Sequence, residues 1–363
     1  MGEVERGDNA QPQTERVGVG PGAARPPGPP VSRVRWGILG AGSIAGRFSE
    51  ALAALPEAQT LAVGSRSQGS ADRFAETHGF FRAYPSYGEL AADPEVDVVY
   101  VATPHPFHAE NAQLCLEAGK AVVCEKPFTV NAREARRLVG LARERDLFLM
   151  EGMWTRFFPL MGRLRQMLSD GAIGEPRMLT VDFGFRAPLD PSSRLFDAKL
   201  GGGAMLDVGV YCVSFASMVL GWPVRGTGLS HLGQTGVDEQ FAAALEHGDG
   251  RISAITAGTR TASPHEATVL GTEGYARIHS PWWQPEAMTI SKPGEGDEVV
   301  REPTEENGFR YEAAEVMRCL GVGERESPIM PLDETVSVLE TMDEIRAAWG
   351  LRYPGERGSD KGR

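Results

Sequence analysis

An acid and a phenol share one predicted helix face in the second half of the sequence. Asp207 and Tyr211 are four residues apart, a spacing that places both side chains on the same side of a helix. Three glycines at 201–203 precede this helix and would let a ligand approach the backbone. The rest of the face is apolar. The two side chains therefore either belong to a binding pocket or have a structural role, in which the hydroxyl of a buried Tyr211 bonds to Asp207.

A lysine stands at the end of a predicted strand, in the motif Cys-Glu-Lys-Pro at 124–127. Ligands bind outside the carboxyl ends of parallel strands, so Lys126 is placed to meet the nicotinamide end of a dinucleotide. The alternative is a surface lysine that ends a strand. A neighbouring ammonium would lower the pKa of a phenol from its usual value of about 10. Lys126 and Tyr211 could then transfer a proton at a substrate oxygen while a nicotinamide carries the hydride.

The glycine turn at 40–45, Gly-Ala-Gly-Ser-Ile-Ala, follows an apolar strand and opens a helix. This is the context that a dinucleotide-binding fingerprint requires. Gly40 permits a tight turn and Gly42 lets the backbone approach a pyrophosphate, while Ala45 replaces the third glycine, where close packing is needed. Free N–H groups and the positive end of the helix dipole would bind the phosphates. An ordinary strand-to-helix turn is the alternative.

The end of the second predicted strand indicates which dinucleotide would bind. NAD-binding folds usually carry Asp or Glu here to bind the ribose 2′-hydroxyl, whereas this chain has Ser65 and Arg66. A hydroxyl and a guanidinium suit a 2′-phosphate, so the pair predicts NADP rather than NAD. The alternative is that Arg66 is a solvated loop residue.

The elements that must position these residues alternate between strand and helix in the first part of the chain. Apolar runs bounded by turn residues predict strands at 34–39, 59–65, 96–102, 121–124 and 147–150. Helical patterns lie between them. Such alternation forms βαβ units with right-handed crossovers, so the predicted fold class is α/β with an N-terminal doubly wound parallel sheet of the Rossmann type.

After Trp154 the pattern changes to consecutive strands with short turns, which predict a C-terminal α+β domain with a large open, mainly antiparallel sheet. The predicted strands are 176–185, 225–234, 237–246, 251–260, 265–270 and 274–279. The predicted helices are 159–170, 204–220, 309–322 and 332–348. The predicted domains are a disordered tail at 1–33, a dinucleotide-binding domain at 34–153, a substrate-binding and oligomerisation domain at 154–352 and a flexible tail at 353–363.

Composition and charge argue against several classes of function. The net charge of -12 disfavours a nucleic-acid partner, which would require a basic face. The sequence has no run of about eighteen apolar residues and no secretory signal, so no membrane partner is predicted and a cytoplasmic location is expected. The four scattered cysteines fit a reducing compartment, and the histidines lack the spacing of a metal site.

Together these motifs resemble the Gfo/Idh/MocA oxidoreductase family. The glycine turn at 40–45, Glu-Lys-Pro at 125–127 and the stretch from Gly201 to Tyr211 occur in the family's order and approximate spacing. The resemblance covers about residues 34–352, with supporting stretches at 103–108, 148–159 and 326–331. Many members carry His where this chain has Tyr211. The tyrosine subgroup includes dihydrodiol dehydrogenases, NADP-linked xylose dehydrogenases and deoxysugar ketoreductases.

The resemblance implies a role for each matching residue. Lys126 would lie beside the nicotinamide and the substrate oxygen, Tyr211 would be the general acid/base, and Asp207 would orient the substrate. Trp154 and Arg156 would line the substrate pocket. The residues expected to bind the cofactor are Gly40, Gly42, Ser43, Ile44, Ser65, Arg66, Thr103, His105, His108, Glu125 and Lys126.

We therefore expect an NADP-dependent oxidoreductase acting at a hydroxyl or carbonyl carbon of a sugar or cyclic diol. A ketoreductase of a nucleotide-linked deoxysugar needs the same catalytic residues and stays open, with Arg186, Arg194 and Lys199 as candidate diphosphate ligands. A non-catalytic NADP sensor is the alternative of another class, although a sensor would not need the proton-transfer residues. An open sheet face predicts a homodimer or homotetramer.

Overall fold

The first sheet and its helices alternate along the chain. The computed structural model describes residues 33–305 and 307–356. The strands are β1 (Val34–Leu39), β2 (Ala58–Gly64), β3 (Arg82–Tyr84), β4 (Val98–Val101), β5 (Ala121–Glu125) and β6 (Leu149–Gly152). The helices are α1 (Ser43–Ala53), α2 (Gln68–His78), α3 (Tyr87–Ala92), α4 (His108–Glu117) and α5 (Ala132–Glu144). The strand order is β3-β2-β1-β4-β5-β6, and every pair is parallel.

This sheet is the predicted doubly wound architecture. Every residue of β4 and β5 is buried, which explains why β4 and the first four residues of β5 are continuous apolar runs rather than alternating patterns. The strand order reverses between β1 and β4, and the crevice at the carboxyl ends beside such a reversal is where open α/β sheets bind ligands. The short edge strand β3 was not predicted, because three half-buried residues carry no periodic signal.

The second sheet has eight strands and one parallel pair. Its strands are β7 (Pro176–Gly184), β8 (Pro223–Leu232), β9 (Asp238–His247), β10 (Ile252–Gly258), β11 (Ala267–Gly271), β12 (Tyr275–Ile278), β13 (Ala287–Ser291) and β14 (Glu298–Arg301). The accompanying helices are α6 (Pro159–Ser169), α7 (Val210–Leu220), α8 (Phe309–Val322) and α9 (Leu332–Ala348). The order is β14-β13-β12-β11-β7-β10-β9-β8, and only β7–β10 is parallel, so the sheet is mainly antiparallel as predicted.

Two strands of this sheet were missed. In β14, Glu298 and Arg301 flank two valines at the sheet edge, and edge strands with charged ends resemble loops in sequence. Strand β13 follows a loop that carries two prolines, Pro281 and Pro285, which hid its alternation.

One face of the second sheet packs against a very apolar helix. Strand β9 alternates buried and exposed residues along most of its length, so one side faces the core and the other faces solvent. The buried side of the sheet contacts α7 through β7 and β10. The segment Ala198–Leu220 is long and apolar enough in composition to cross a membrane, yet most of it is buried inside the protein, as a core helix would be.

The ordered chain extends past the predicted start of the C-terminal tail. Tyr353 is buried and its hydroxyl donates to the carbonyl oxygen of Gly202 at 2.6 Å. Glu356 pairs with Arg346 of α9 at 3.2 Å. The prediction of a flexible tail beginning at residue 353 is therefore wrong for these residues, because a buried aromatic ring and an ion pair hold them. The remainder of that tail and the predicted tail up to residue 32 lie outside the described residues.

Candidate active site

The turn between β1 and α1 has the backbone that the glycine pattern predicts. Gly40 has a φ of 110°, and a Cβ atom there would lie 2.8 Å from the carbonyl oxygen of Ala102. Gly42 caps α1 without a side-chain hydrogen bond, and the first helical turn carries no acidic residue. Ser43 is exposed and Ile44 half-buried at this same edge. The helix start can therefore take the phosphates of a dinucleotide, and the residues present fit such a cofactor.

The end of β2 brings Ser65 and Arg66 to the same edge of the sheet. Ser65 is buried, and its backbone N–H donates to the carbonyl oxygen of Tyr84 at 3.1 Å. Arg66 is exposed and has no side-chain partner among the described residues. Burial raises the pKa of Tyr87, and the charge of Arg66 opposes this shift. A guanidinium with unused donors suits a phosphate.

Lys126 follows β5 directly and reaches the turn before α7. Its Nζ donates to the backbone carbonyl of Asp207 at 2.8 Å and lies 4.7 Å from the centre of the Tyr211 ring. Burial lowers the pKa of Lys126, and the charges of Asp207 and Glu125 oppose the shift. Lys126 is thus a part-buried residue that joins the two halves of the site, rather than a surface lysine at a strand end.

Asp207 lies in a π-helical turn, Met205–Gly209, that leads into α7. Such turns occur frequently at functional sites. Its carboxylate pairs with Arg194 at 2.7 Å, and the two side chains are 7% and 53% exposed. Burial raises the pKa of Asp207, but the charges of Lys126 and Arg194 outweigh it, so the pKa lies below its usual value. The site therefore presents a buried carboxylate and a guanidinium that solvent can still reach.

The hydroxyl of Tyr211 accepts a hydrogen bond from Trp154 Nε1 at 3.0 Å. The partner of this hydroxyl is the indole rather than Asp207. The fold therefore differs from the alternative interpretation of the sequence, in which the tyrosine hydroxyl bonds to the aspartate. Burial raises the pKa of Tyr211 well above its usual value, the charge of Glu125 adds to this, and the bond from Trp154 opposes it. This direction is opposite to the one predicted from the sequence, because burial and nearby carboxylates dominate around the phenol.

Two stacked aromatic pairs surround Tyr211. Trp154 stacks on Phe309, with ring centres 4.4 Å apart and planes within 9°. Phe183 stacks on Trp283 at 3.6 Å and 7°, and Phe183 lies 5.4 Å from the Tyr211 ring. Flat apolar surfaces of this kind suit an aromatic or alicyclic ring, or the apolar face of a sugar.

The loop after β4 is fastened to the site through its histidines. His105 Nδ1 lies 3.2 Å from the carbonyl oxygen of Gly201. The two ring nitrogens of His108 lie 2.8 Å and 2.6 Å from the carbonyl oxygens of Pro127 and Thr103. Burial lowers the pKa of His105 to about 3 and that of His108 to about 4. The positions of both rings make them links between the loops around Lys126.

Arg156 lines a small cavity together with Tyr211 and is held there by buried hydrogen bonds. It is buried, and its guanidinium donates to Glu334 of α9 at 2.6 Å and to the backbone carbonyl of Ser214 of α7 at 2.7 Å. Its Nε donates to Ser214 Oγ at 2.9 Å. These contacts make Arg156 a link in the packing of α7 against α9, and its place in the substrate pocket stays a prediction. Trp154, by contrast, directly contacts the phenol.

Comparison with known proteins agrees with this geometry. The model of the oxidoreductase family GFO_IDH_MocA, NAD-binding Rossmann fold, matches residues 34–153, and the GFO/IDH/MocA C-terminal domain matches residues 161–277. The chain belongs to the Gfo/Idh/MocA family. Trans-1,2-dihydrobenzene-1,2-diol dehydrogenase from Macaca fuscata fuscata is 40% identical over 335 residues, covering 89% of this chain and 99% of that protein. The human enzyme of the same name is 39% identical with the same coverage.

Several solved structures share the architecture of this chain. KijD10, a 3-ketoreductase from Actinomadura kijaniata solved with NADP and TDP-benzene, is 29% identical with a TM-score of 0.78, covering 87% of this chain and 97% of that one. An aldose-aldose oxidoreductase from Caulobacter crescentus has a TM-score of 0.80 at 24% identity, covering 88% and 98% of the two chains. The second likeness shows the fold alone.

In this Gfo/Idh/MocA protein, the pKa shifts of Tyr211 and Lys126 suit complementary roles. Tyr211 can donate a proton, and Lys126 can accept one. A bound nicotinamide dinucleotide would supply or accept the hydride. The raised pKa of Tyr211 keeps the phenol protonated, so it can donate to a carbonyl oxygen. Because the pKa of Lys126 is lowered, a larger fraction of the amine is neutral at a given pH, and the neutral form can accept a proton. Asp207 and Arg194 can hold a polar group next to the reacting carbon.

Sequence reasoning found Trp154 but missed three other aromatic residues of the site. Phe183 ends β7, Trp283 lies in the loop before β13, and Phe309 begins α8. Each looks like an ordinary core residue in sequence, since no local motif marks it. Asp238, which holds the turn before α7, was also missed, because a single acid at the start of a predicted strand gives no signal.

Proposed function

We propose that this protein is an NADP-dependent oxidoreductase that moves a hydride between the nicotinamide and a carbon bearing a hydroxyl or carbonyl group. The observation that carries the proposal is the meeting of Lys126 with Tyr211 and Asp207 at the carboxyl edge of the first sheet. Membership of an oxidoreductase family supports it. Arg66, exposed and unpaired among the described residues, supports NADP over NAD.

The proposed catalytic residues are Tyr211 and Lys126. Tyr211 exchanges the proton with the substrate oxygen, and Lys126 stabilises charge on that oxygen and takes part in the exchange. Asp207 orients the substrate, together with Arg194. The indole N–H of Trp154 holds the phenol oxygen in place.

The proposed substrate is a cyclic vicinal diol. The stacked rings around Tyr211 match a flat ring, and the Asp207–Arg194 pair offers an acceptor and donors for the second hydroxyl. Relatives that match almost their whole length are named dehydrogenases of trans-1,2-dihydrobenzene-1,2-diol.

A second candidate is the reduction of a nucleotide-linked keto-sugar. The loop before the glycine run carries three exposed basic side chains, Arg186, Arg194 and Lys199, which could bind a diphosphate. KijD10, a similar ketoreductase, was solved with a TDP derivative.

Nicotinamide absorbance separates these candidates. NADP+ is supplied with trans-1,2-dihydrobenzene-1,2-diol or free aldoses, and NADPH with free or nucleotide-linked keto-sugars. Turnover with the diol supports the main proposal, and turnover confined to nucleotide-linked keto-sugars favours the second. Tight NADP binding without turnover of any of them would support the sensor.

We propose a homodimer or homotetramer formed through the outer face of the second sheet. Met178, Leu229 and Ile252 are 45%, 83% and 45% exposed there. Register places Ile252 opposite Met178 on the neighbouring strand, and small exposed residues such as Ala242 and Ala244 keep the face flat. Light scattering should give a multiple of the chain mass that Leu229→Arg reduces; a single-chain mass for the wild type contradicts the proposal. A cytoplasmic location remains a prediction from the sequence.

A further inference from the structure

The turn that carries Asp207 starts without a cap from its own segment. Helices leave their first N–H groups without partners inside the helix, and a side chain just before the start usually accepts from one of them. Here the preceding residues are Gly201–Ala204, and the start has no local side-chain cap. The missing acceptor comes from another element. Asp238, the first residue of β9, accepts the N–H of Met205 on Oδ2 at 2.6 Å, and its side chain is fully buried.

The glycine run is shaped around this carboxylate. Gly203 has a φ of 117°, and a Cβ atom at that position would lie 2.2 Å from Asp238 Oδ1. Glycine is therefore required there both by conformation and by space. On the other side of the run, Tyr353 donates to the carbonyl oxygen of Gly202 at 2.6 Å. The start of the turn is thus fixed by residues from β9 and from the chain after α9.

A small displacement of this turn would change the positions of Asp207 and Tyr211 relative to Lys126. Two residues after Met205, the backbone carbonyl of Asp207 accepts from Lys126 Nζ at 2.8 Å. Tyr211 follows four residues later at the start of α7. Because catalytic groups must be held to within a fraction of an ångström, a displaced turn would misalign Lys126 with Asp207.

We propose that Asp238 is a positioning residue of the active site, whose carboxylate holds the Met205–Gly209 turn in the register that aligns Asp207 with Lys126. This inference rests on the roles proposed above for Lys126, Asp207 and Tyr211. Asp238 is a positioning residue because it acts on the reacting groups only through the turn, and no reacting atom contacts it.

The charge of Asp238 makes its hold on the turn depend on pH. Burial raises the pKa of Asp238 to about 7, while the N–H of Met205 and the charge of Arg346 oppose the shift. The groups that face it are Arg346 of α9 and the hydroxyl of Tyr353, whose own pKa is raised by burial and by the charge of Asp238. A neutral carboxyl is a weaker acceptor than a carboxylate. The turn should therefore loosen, and activity fall, as the pH drops through about 7.

The test is Asp238→Asn, which keeps the size and one acceptor oxygen but removes the charge. We expect kcat to fall roughly 10- to 100-fold, with little change in KM or in NADP affinity measured by calorimetry. The fall of kcat below about pH 7 should disappear, since the variant no longer titrates there. Glu239→Gln is the matched control. Glu239 is the next residue on β9 and pairs with Arg260 at 3.7 Å, so its removal should leave kcat and its pH profile unchanged.

A measurement on the wild type guards against an unfolded variant. Hydrogen exchange of the 203–211 segment, corrected for intrinsic rates, should lose protection as the pH falls through about 7. Wild-type kcat and an unchanged pH profile in Asp238→Asn would overturn the inference, as would protection that is independent of pH. Retained turnover in Tyr211→Phe and Lys126→Ala would instead overturn the proposed function on which it rests.

Discussion

The residues that would hold the cofactor and those that surround the substrate are organised differently along the chain. Gly40, Ser65 and Lys126 each lie directly after a strand of the first sheet, where parallel topology brings their neighbourhoods to one edge. Of the aromatic rings around Tyr211, Trp154 follows β6, whereas the other three come from β7, from the loop before β13 and from the start of α8. Strand ends of a parallel sheet therefore encode a site locally, whereas the second half assembles one from distant segments.

The physical reason lies in the topology of the two sheets. In a parallel sheet every strand ends at the same edge, so a short motif after any strand reaches the ligand crevice. In the mainly antiparallel sheet neighbouring strands end at opposite edges. The rings around Tyr211 come from the sheet face that packs on α7 and from other segments such as the start of α8. Three of these aromatic residues consequently have no common motif and are marked only by tertiary packing.

The largest expected effect is a loss of kcat when Tyr211, in the region that surrounds the substrate, is changed. Tyr211→Phe removes the group that exchanges a proton but keeps the ring that packs against Phe183. We expect kcat to fall about 10²- to 10⁴-fold. NADP affinity, measured by calorimetry, should remain within about twofold, since the cofactor edge is built by the first sheet. Loss of NADP binding would mean that the two regions are not separable in this way.

A pH-dependent change in the free energy of unfolding is expected from Glu312, which lies near Glu125 of the first sheet. Glu312 of α8 is fully buried, and neither carboxyl oxygen has a partner among the described residues. Burial raises the pKa of Glu312 well above its usual value, and the charge of Glu125 of β5 adds to this. The folded state therefore holds a proton that the unfolded state releases above about pH 4.3. Its contribution to stability is fully present below that pH and is lost as the pH rises through the folded pKa.

Glu312→Gln replaces the titrating carboxyl group with a neutral amide. The free energy of unfolding of the variant therefore no longer depends on pH through this residue. Urea denaturation should show the variant gaining on the wild type as the pH rises from 5 to 8, by up to about 1.4 kcal/mol per pH unit. Glu315→Gln, on the same helix, is the control with the opposite sign. Burial raises the pKa of Glu315, but hydrogen bonds from Arg318 and Ser327 outweigh it and the pKa is lowered. That variant should be less stable than the wild type at pH 7. A pH-independent difference for Glu312→Gln would show that Glu312 is ionised in the fold.

The smallest effect is expected at the cofactor edge. Arg66→Asp replaces an unpaired guanidinium with the acid that NAD-binding folds carry at this position. NADP should bind roughly 10- to 100-fold more weakly, as for the loss of a charged hydrogen bond, whereas NAD affinity should not fall. Arg73→Asp on α2, an exposed arginine further along the chain, is a suitable control for net charge. Unchanged NADP binding in Arg66→Asp would leave that residue as a solvated loop side chain.

The sequence predicts most strands of the first sheet and fewer of those in the second, whereas the cofactor residues stay a prediction. The glycine turn, the motif around Lys126 and the Asp207–Tyr211 spacing predict the fold class and the reacting groups, because each depends on local geometry. Arg156 could not be placed from sequence, since its partners Glu334 and Ser214 are remote along the chain. The direction of the Tyr211 pKa shift was missed for a related reason. It depends on burial and on the approach of Glu125, which only the folded chain determines.

The most direct test of the account is the fate of the hydrogen on the reacting carbon. Trans-1,2-dihydrobenzene-1,2-diol labelled with deuterium at its carbinol carbons would be incubated with the enzyme and NADP+, and the cofactor examined by NMR. We expect deuterium at the C4 position of the reduced nicotinamide, with the transfer strongly slowed in Tyr211→Phe. Reduced cofactor without deuterium, or transfer that persists undiminished in Tyr211→Phe, would contradict the account.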